Sequence, residues 1–345
     1  MPISLPCSPA VCRTVASVLD PVLRPVLRPA LLSVMFAASA QFALAQDNFP
    51  QRPLRIMVGF SAGSVVDVSA RVIGEKLGEA LKQPVVIDNR PSAGGIVAGE
   101  LVARGSADGY TLLSVSASHA IGPAVTPKLP YNVLKDFAGI SSTVNVASVL
   151  VTAASGGPKT VKDLIALAKA KPGALNFSSG GIASSTHFVA ELFNSMAGIE
   201  ATHVPFKGIP EALTAVMTGT VNYTITPMAN ALAQVNAGRV NPLGVTVSKR
   251  DAALPDVLTI AEAGVAGFSY DTWFGLLAPA ATPRPIIDRL NKEVVRVLGL
   301  PEVRERFRTL GAEPIPMRPA EFDKFIAQQV ERFAKLAKQA NIKVE

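Results

Sequence analysis

From residue 54 onward, short apolar runs alternate with segments whose apolar residues recur every three or four positions. That alternation predicts an α/β fold with largely parallel sheets. Residues 54–60 (LRIMVGF) read as a buried strand, and 68–81 as a helix with Val72, Ile73 and Leu77 on one face. Strands follow at 85–87 and, after the Asp108-Gly109 turn, at 110–115, with a helix over 96–103 between them. Residues 137–152 are β-rich and too long for one ordinary strand, which suits a segment passing from one lobe into another. Beyond it, helices are expected over 160–171, 186–196, 210–217 and 229–237, the third with Pro210 in its first turn. The strands between them fall at 175–177, 202–205, 221–226 and 243–247, and 273–278 reads as a return strand paired with 137–152. Two helices, from Pro285 and from Pro319, close the chain. The last carries Phe322, Phe325, Ile326, Val330, Phe333 and Leu336 as an amphipathic stripe.

These elements imply two α/β lobes joined by two crossover strands, a type II-like arrangement that closes on a ligand by hinge motion. One lobe takes 46–145 and 270–345, and the other 146–269.

Only residues 30–45 (ALLSVMFAASAQFALA) approach membrane character, and they are too few to span a bilayer, which takes roughly 20. Arg24 and Arg28 precede the run, and Ala43-Leu44-Ala45 ends it with the small-x-small pattern of a signal-peptidase site. Residues 1–45 are therefore expected to be a signal peptide cleaved after Ala45, delivering a soluble protein to the periplasm. This changes how the composition reads. The chain has 345 residues, 49% apolar and 17% charged, with a mean hydropathy of +0.33. The removed segment accounts for part of that hydropathy and buried sheets for the rest. It also takes both cysteines, Cys7 and Cys12, and three arginines against one aspartate, so the formal charge falls from +7 to +5. A thiol-free exported protein has no disulfide to form and no thiolate for metals or catalysis. The length suits two domains. A charged fraction below the roughly 25% of average proteins argues against a nucleic-acid partner, although the sign would favour encounter with anionic solutes.

Three loops carry candidate chemistry. The first runs Gly59-Phe60-Ser61-Ala62-Gly63-Ser64-Val65-Val66-Asp67 and enters a helix, where free backbone N–H groups and the helix dipole make an anion site. Ser61, Ala62, Gly63, Ser64, Val66 and Asp67 are its candidate ligand contacts. Asp67 is placed to cap the helix through its carboxylate, with direct ligand contact as the alternative. The same stretch matches G-x-S-x-G between a strand and a helix, the setting of a nucleophile elbow. An exported serine hydrolase using Ser61 is thus the alternative function. It fits poorly, because the first strand is too early for an elbow and the last histidine, His203, is too early for the triad order. The second loop, Ser92-Ala93-Gly94-Gly95, supplies no dinucleotide fingerprint. Arg90 before it can hold a carboxylate or pair with a neighbouring acid. The third loop, Ser178 to Thr186, offers Gly180, Gly181, Ala183, Ser184 and Ser185 at the N-terminus of a helix in the other lobe. Two such termini facing each other can hold a carboxylate with no cation present. His119, His187 and His203 lack metal spacing, so structural roles or cleft hydrogen bonds are expected, with no metal, cofactor or catalytic centre. Lys207 reads as solvated, and Trp273 as either core or cleft lining.

Several segments together resemble the substrate-binding proteins of tripartite tricarboxylate transporters, the TctC or Bug family. They include Gln51-Arg52-Pro53, the first loop with Ala70-Arg71, Asn89-Arg90-Pro91 with Gly94-Gly95, and Ala107-Asp108-Gly109-Tyr110-Thr111-Leu112. Pro205-Phe206-Lys207-Gly208, Leu254-Pro255-Asp256-Val257, Ala261-Glu262-Ala263-Gly264, Trp273-Phe274-Gly275 and Ala278-Pro279 continue the series in order. The resemblance implies a periplasmic binding protein fold, a non-enzymatic and monomeric receptor, a small carboxylated ligand held by the two helix-entry loops, and membrane transporter subunits as partners. Three departures stand out. Ser64-Val65-Val66 replace a richer Pro/Gly loop with a Thr or Asn, Phe206 replaces a tyrosine, and Thr226 replaces an acid at the end of a cleft strand. Each removes a polar group, which favours a less polar monocarboxylate, aromatic or alkyl, over a citrate-like ligand.

Overall fold

A computed structural model describes residues 49–126, 128–339 and 342, so the expected signal segment and both cysteines lie outside the described residues. The elements all fall within one compact unit, Arg52–Glu345. In chain order they begin with β1 (Leu54–Val58), α1 (Val65–Leu81), β2 (Val85–Asn89), α2 (Ile96–Ala103), β3 (Thr111–Ser116), α3 (Ser118–Val125) and β4 (Phe137–Val146). Next come β5 (Ser148–Ala153), α4 (Val161–Ala170), β6 (Leu175–Ser179), α5 (Ser185–Ala197), β7 (Ala201–Pro205), α6 (Ile209–Met217), β8 (Tyr223–Pro227), α7 (Met228–Asn236) and β9 (Val240–Val245). The chain ends with β10 (Thr272–Pro279), α8 (Arg284–Leu298), α9 (Pro301–Arg308), β11 (Ala312–Pro314) and α10 (Pro319–Gln339).

The strands form two sheets, in the orders β11-β4-β10-β3-β1-β2 and β7-β6-β8-β5-β9. Both are mixed, not largely parallel. β1 runs parallel to β2 and β3, with Ile56 opposite Ile87 and Leu112, whereas β10 is antiparallel to both β3 and β4. In the second sheet β6 is parallel to β7 and β8, and β5 antiparallel to β8 and β9. The crossovers explain the mixture. β4 leaves the first sheet for the second and β10 returns from it, so the two must run in opposite directions.

The β-rich run over 137–152 is two strands in two sheets, broken at Ala147, whose carbonyl accepts from the Met228 amide at 2.7 Å. The two crossovers are stitched together beside this break. The Ser148 amide donates to Thr246 Oγ1 at 3.1 Å, and the Thr246 amide returns a bond to the Ser148 carbonyl at 2.8 Å. Thr246 O accepts from Tyr270 N at 2.8 Å, and the Ser148 and Thr272 hydroxyls lie 3.2 Å apart.

The C-terminus holds three helices where sequence periodicity suggested two. α8 ends at Leu298, the glycine beyond it interrupts the pattern, and Pro301 at the first position of α9 restarts a helix. α10 lies against the first sheet through Phe322, Ile326 and Phe333, all buried. Two glycines make room for it. A Cβ at Gly275 would sit 2.2 Å from Phe322 Cζ, and one at Gly139 would sit 2.6 Å from Asp323 Oδ1. Phe333 then reaches Phe188 of α5 with ring centroids 5.3 Å apart, joining the apolar packing of the two halves. Trp273 is core, edge-on to Phe322 and Phe325, and Trp273 Nε1 is buried without a partner.

Candidate functional site

The first helix-entry loop is built from both ends. α1 starts three residues earlier than its apolar periodicity suggests, so Ser64 is its N-cap, with Oγ accepting from the Asp67 amide at 3.4 Å. Asp67 is therefore not the cap residue. It occupies the third helical position and reaches back to accept from the Gly63 amide at 2.9 Å, a variant of the capping box. The same carboxylate accepts from Arg71 Nε at 3.0 Å and Asn89 Nδ2 at 2.9 Å, and Asn89 Nδ2 also donates to Phe60 O at 3.1 Å. Burial would push the Asp67 pKa up, but the bonds from Arg71, Gly63 and Asn89 outweigh it and hold the pKa below the usual carboxylate range. Both of its oxygens are engaged by the loop and its neighbours. Arg90 pairs with Asp88 at 2.9 Å.

The other helix-entry loop, Ser178 to Thr186, lies between β6 and α5, with Ser184 as N-cap and its Oγ accepting from the His187 amide at 3.2 Å. Gly180 N donates to Thr186 Oγ1 at 2.9 Å, and Gly181 has φ +116. Ala183 has φ +58, a left-handed conformation rare for a residue with a side chain. Two histidines under the loop stabilise this shape. His187 Nδ1 accepts from the Ala183 amide at 3.3 Å, while His203 Nε2 lies 2.6 Å from the Ser179 hydroxyl, which also bonds Gly181. Their rings stack at 3.8 Å between centroids. Burial, with His187 alongside, lowers the His203 pKa to about 3, so that ring is neutral at pH 7. Sequence reasoning missed this pair because nothing in their spacing, 16 residues apart on a helix and a strand, marks them as neighbours.

The two helix N-termini face one another across a narrow cleft. From the first half it is walled by Phe60, Ser64, Val65, Val66, Ser116 and Phe274, and from the second by Gly180, Ser184, Ser185, Thr186, Ile209 and Pro227. No charged side chain lines it. The amides of Val65, Val66 and Thr186 take no part in the caps, and as first-turn groups they have no intrahelical acceptor.

Of the residues expected at the site, Ser64, Val66, Gly180, Ser184 and Ser185 line this cavity. Asp67, Gly181 and Ala183 shape the loops from behind. Ser61 and Gly63 contact the opposite half. Ser61 Oγ donates to Lys207 O at 3.1 Å, and Gly63 O accepts from Asn230 Nδ2 at 3.1 Å. A third such bond runs from the Ser185 amide to Ser118 Oγ at 2.8 Å. Ala62 is exposed at the loop tip. Thr226 does not reach the cavity as expected. It is fully buried in β8 opposite Val149, and its successor Pro227 forms the wall instead. The hydrolase alternative finds no support, because the Ser61 proton is directed at a backbone carbonyl instead of an imidazole. Phe60, Phe274 and Ile209 were missed as lining residues, although large apolar side chains two residues from a strand end (Phe60, Phe274) or at the first position of a helix (Ile209) are the signal that could have found them.

Two mixed α/β lobes joined by two crossovers, with a cleft between opposed helix N-termini, define a periplasmic binding protein. The comparisons narrow that class. A family model described as "Tripartite tricarboxylate transporter family receptor", TctC, matches residues 69–342, and the chain belongs to this family. It is 35% identical over 321 residues to protein BugT of Bordetella pertussis, covering 91% of this chain and 98% of BugT. Among solved structures, Rpa4515 of R. palustris with adipate is similar at 34% identity and TM-score 0.83, covering 86% of this chain and all but 1% of that one. MatC of Rhodopseudomonas palustris with bound malate is similar at 32% identity and TM-score 0.80, covering 84% of this chain and 99% of that one.

Proposed function

We propose that this protein is an exported, non-enzymatic receptor that captures a small carboxylate between its lobes and delivers it to a tripartite tricarboxylate-type transporter. The observation that carries this reading is the pair of opposed helix N-termini, Ser64–Val66 and Ser184–Thr186, across an apolar cavity with no cation. Free first-turn amides and two dipoles stabilise a carboxylate there without an ion pair. Family membership and the carboxylates bound by its relatives support the same ligand class. The lobes are read as 46–145 with 270–345 and as 146–269, in keeping with the division of strands between the two sheets. Residues 1–45 are read as the signal peptide, removed after Ala45 on the way to the periplasm, and the receptor as a monomer.

Within that class, Phe60, Phe274, Ile209 and Pro227 favour a ligand whose body is apolar, an aromatic or alkyl monocarboxylate, over a citrate-like one. A thermal-shift series at pH 7 tests this. Benzoate or hexanoate at 100 times its Kd should add about 2.7 kcal/mol of stability, with little effect from citrate. Tight citrate binding with no response to simple monocarboxylates would refute the preference, and silence across all carboxylates would refute the receptor reading.

A further inference from the structure

The loop Ser178 to Thr186 presents the first turn of α5 only while Ala183 keeps its left-handed backbone. Ala183 has φ +58 and comes directly before the N-cap, Ser184. It lies where the halves meet, since a Cβ at Gly94 would sit 3.2 Å from Ala183 O. Two residues on, the Ser185 amide makes its bond across to Ser118 Oγ. An alanine persists in this conformation only where its surroundings hold it. Here its amide donates to His187 Nδ1 at 3.3 Å.

That bond fixes the tautomer of His187. A ring nitrogen that accepts from a backbone amide has a lone pair, so in the neutral ring the proton is on Nε2. A second proton can then go only to Nδ1. It would set one N–H against another and leave the buried Ala183 amide unpaired, in a conformation rare for alanine. Around the ring, α5 contributes Glu191, with Oε1 3.7 Å from His187 Nε2, and a carboxylate there favours the charged ring. β7 contributes His203, stacked at 3.8 Å between centroids. β6 contributes the uncharged Phe177 and Ser179, and β8 places Tyr223 behind Phe177 with its hydroxyl bonded to Asn194. His203 does not compete for the proton, because burial, with His187 alongside, lowers its pKa to about 3.

We propose that His187 is a positioning residue for the ligand, acting through its Nδ1 lone pair on Ala183, so that a carboxylate is captured with the ring neutral and released when the ring takes up a second proton. Binding then expels that proton, and affinity falls as pH falls. This rests on the carboxylate capture proposed above and adds its regulation by acid.

Calorimetry with benzoate and hexanoate at pH 7 and pH 5 tests it, on the wild type and on His187→Asn. The asparagine Oδ1 can accept from the Ala183 amide but takes up no proton in this range. The wild type should bind about tenfold or more weakly at pH 5 than at pH 7. In His187→Asn, whatever its affinity at pH 7, the two values should differ by much less. Protonation of the acid itself is common to both proteins and cancels in the comparison. In the ligand-free wild type, the Ala183 amide resonance should move with the same pH midpoint as the His187 ring nitrogens, a readout that holds even if the variant fails to fold. An equal loss of affinity in both proteins, or an Ala183 amide indifferent to the His187 titration, overturns the acid release and leaves carboxylate capture standing. If neither acid binds at pH 7, carboxylate capture falls and the acid release with it.

Discussion

Asp67 shows how one side chain can organise a helix-entry loop. Its carboxylate gathers the Gly63 amide, Arg71 and Asn89, so loop, helix and β2 move together. Folding lowers its pKa, so its stabilisation is complete above the unfolded value near 3.9 and is lost as pH falls through the lower folded value. Asp67→Asn should therefore cost about 1–2 kcal/mol in urea denaturation at pH 7, with the gap to wild type closing below about pH 4. A gap that persists unchanged at pH 3 would show that the charge is irrelevant. The sequence pointed to Asp67 through its place at a loop-to-helix junction, but two anchors were legible only in part. Asn89 was seen as one letter of a motif, and Ser64, three residues upstream, is the true cap because the apolar periodicity begins later than the helix does. His203 and His187 could not be paired from spacing, since stacking depends on β7 lying beside β6.

At the scale of elements, strands and amphipathic helices were legible wherever the period was long enough, and α2 matches its expected span residue for residue. α3 was missed because Gly122 and Pro123 interrupt its pattern, while its stability comes from burial against α10 and β3 rather than propensity. The sheets' mixed direction could not be read from strand patterns, because it follows from where the crossovers leave and return. The seat of α10 depends on what is absent. Gly275→Ala would drive a methyl into the Phe322 ring, and overpacking of this kind costs about 1–3 kcal/mol. The expected loss of midpoint in chemical denaturation should shrink in the double variant with Phe322→Leu, which vacates the space. A Gly275→Ala protein of unchanged stability would show that the helix can shift freely.

For the whole molecule, the cleft is closed by a few bonds at its rim, and Gly208 marks how close the halves come. Its backbone, at φ −169, suits any residue, but a Cβ there would lie 2.6 Å from Ser61 Oγ and 2.7 Å from Ser61 Cβ. Gly208→Val should leave each lobe folded while wedging the rim apart. The expected result is unchanged thermal stability without ligand, affinity weakened about tenfold or more, and a ligand-saturated radius of gyration that stays at the ligand-free value. Wild-type affinity in that variant would show that closure takes place without this approach. The two-lobed plan was legible in the sequence from two interrupted α/β runs and the overlong segment at 137–152. The depth of the cleft was not, because its walls come from residues more than 200 positions apart, such as Phe60 and Phe274.

The bonds that join the halves across the rim share one trait. Ser61 to Lys207 O, Asn230 to Gly63 O and Ser185 N to Ser118 Oγ all link neutral groups, while among the described residues each ion pair stays within one half, as with Arg306–Glu75 and Arg250–Glu262. Counterions screen charge pairs and leave neutral dipoles nearly untouched. A compartment open to the surroundings takes its ionic strength from the growth medium. Dissolved electrolyte there slows the long-range drift of an anion towards a basic protein, but it has little purchase on the latch, so the halves hold together as firmly in brine as in fresh water.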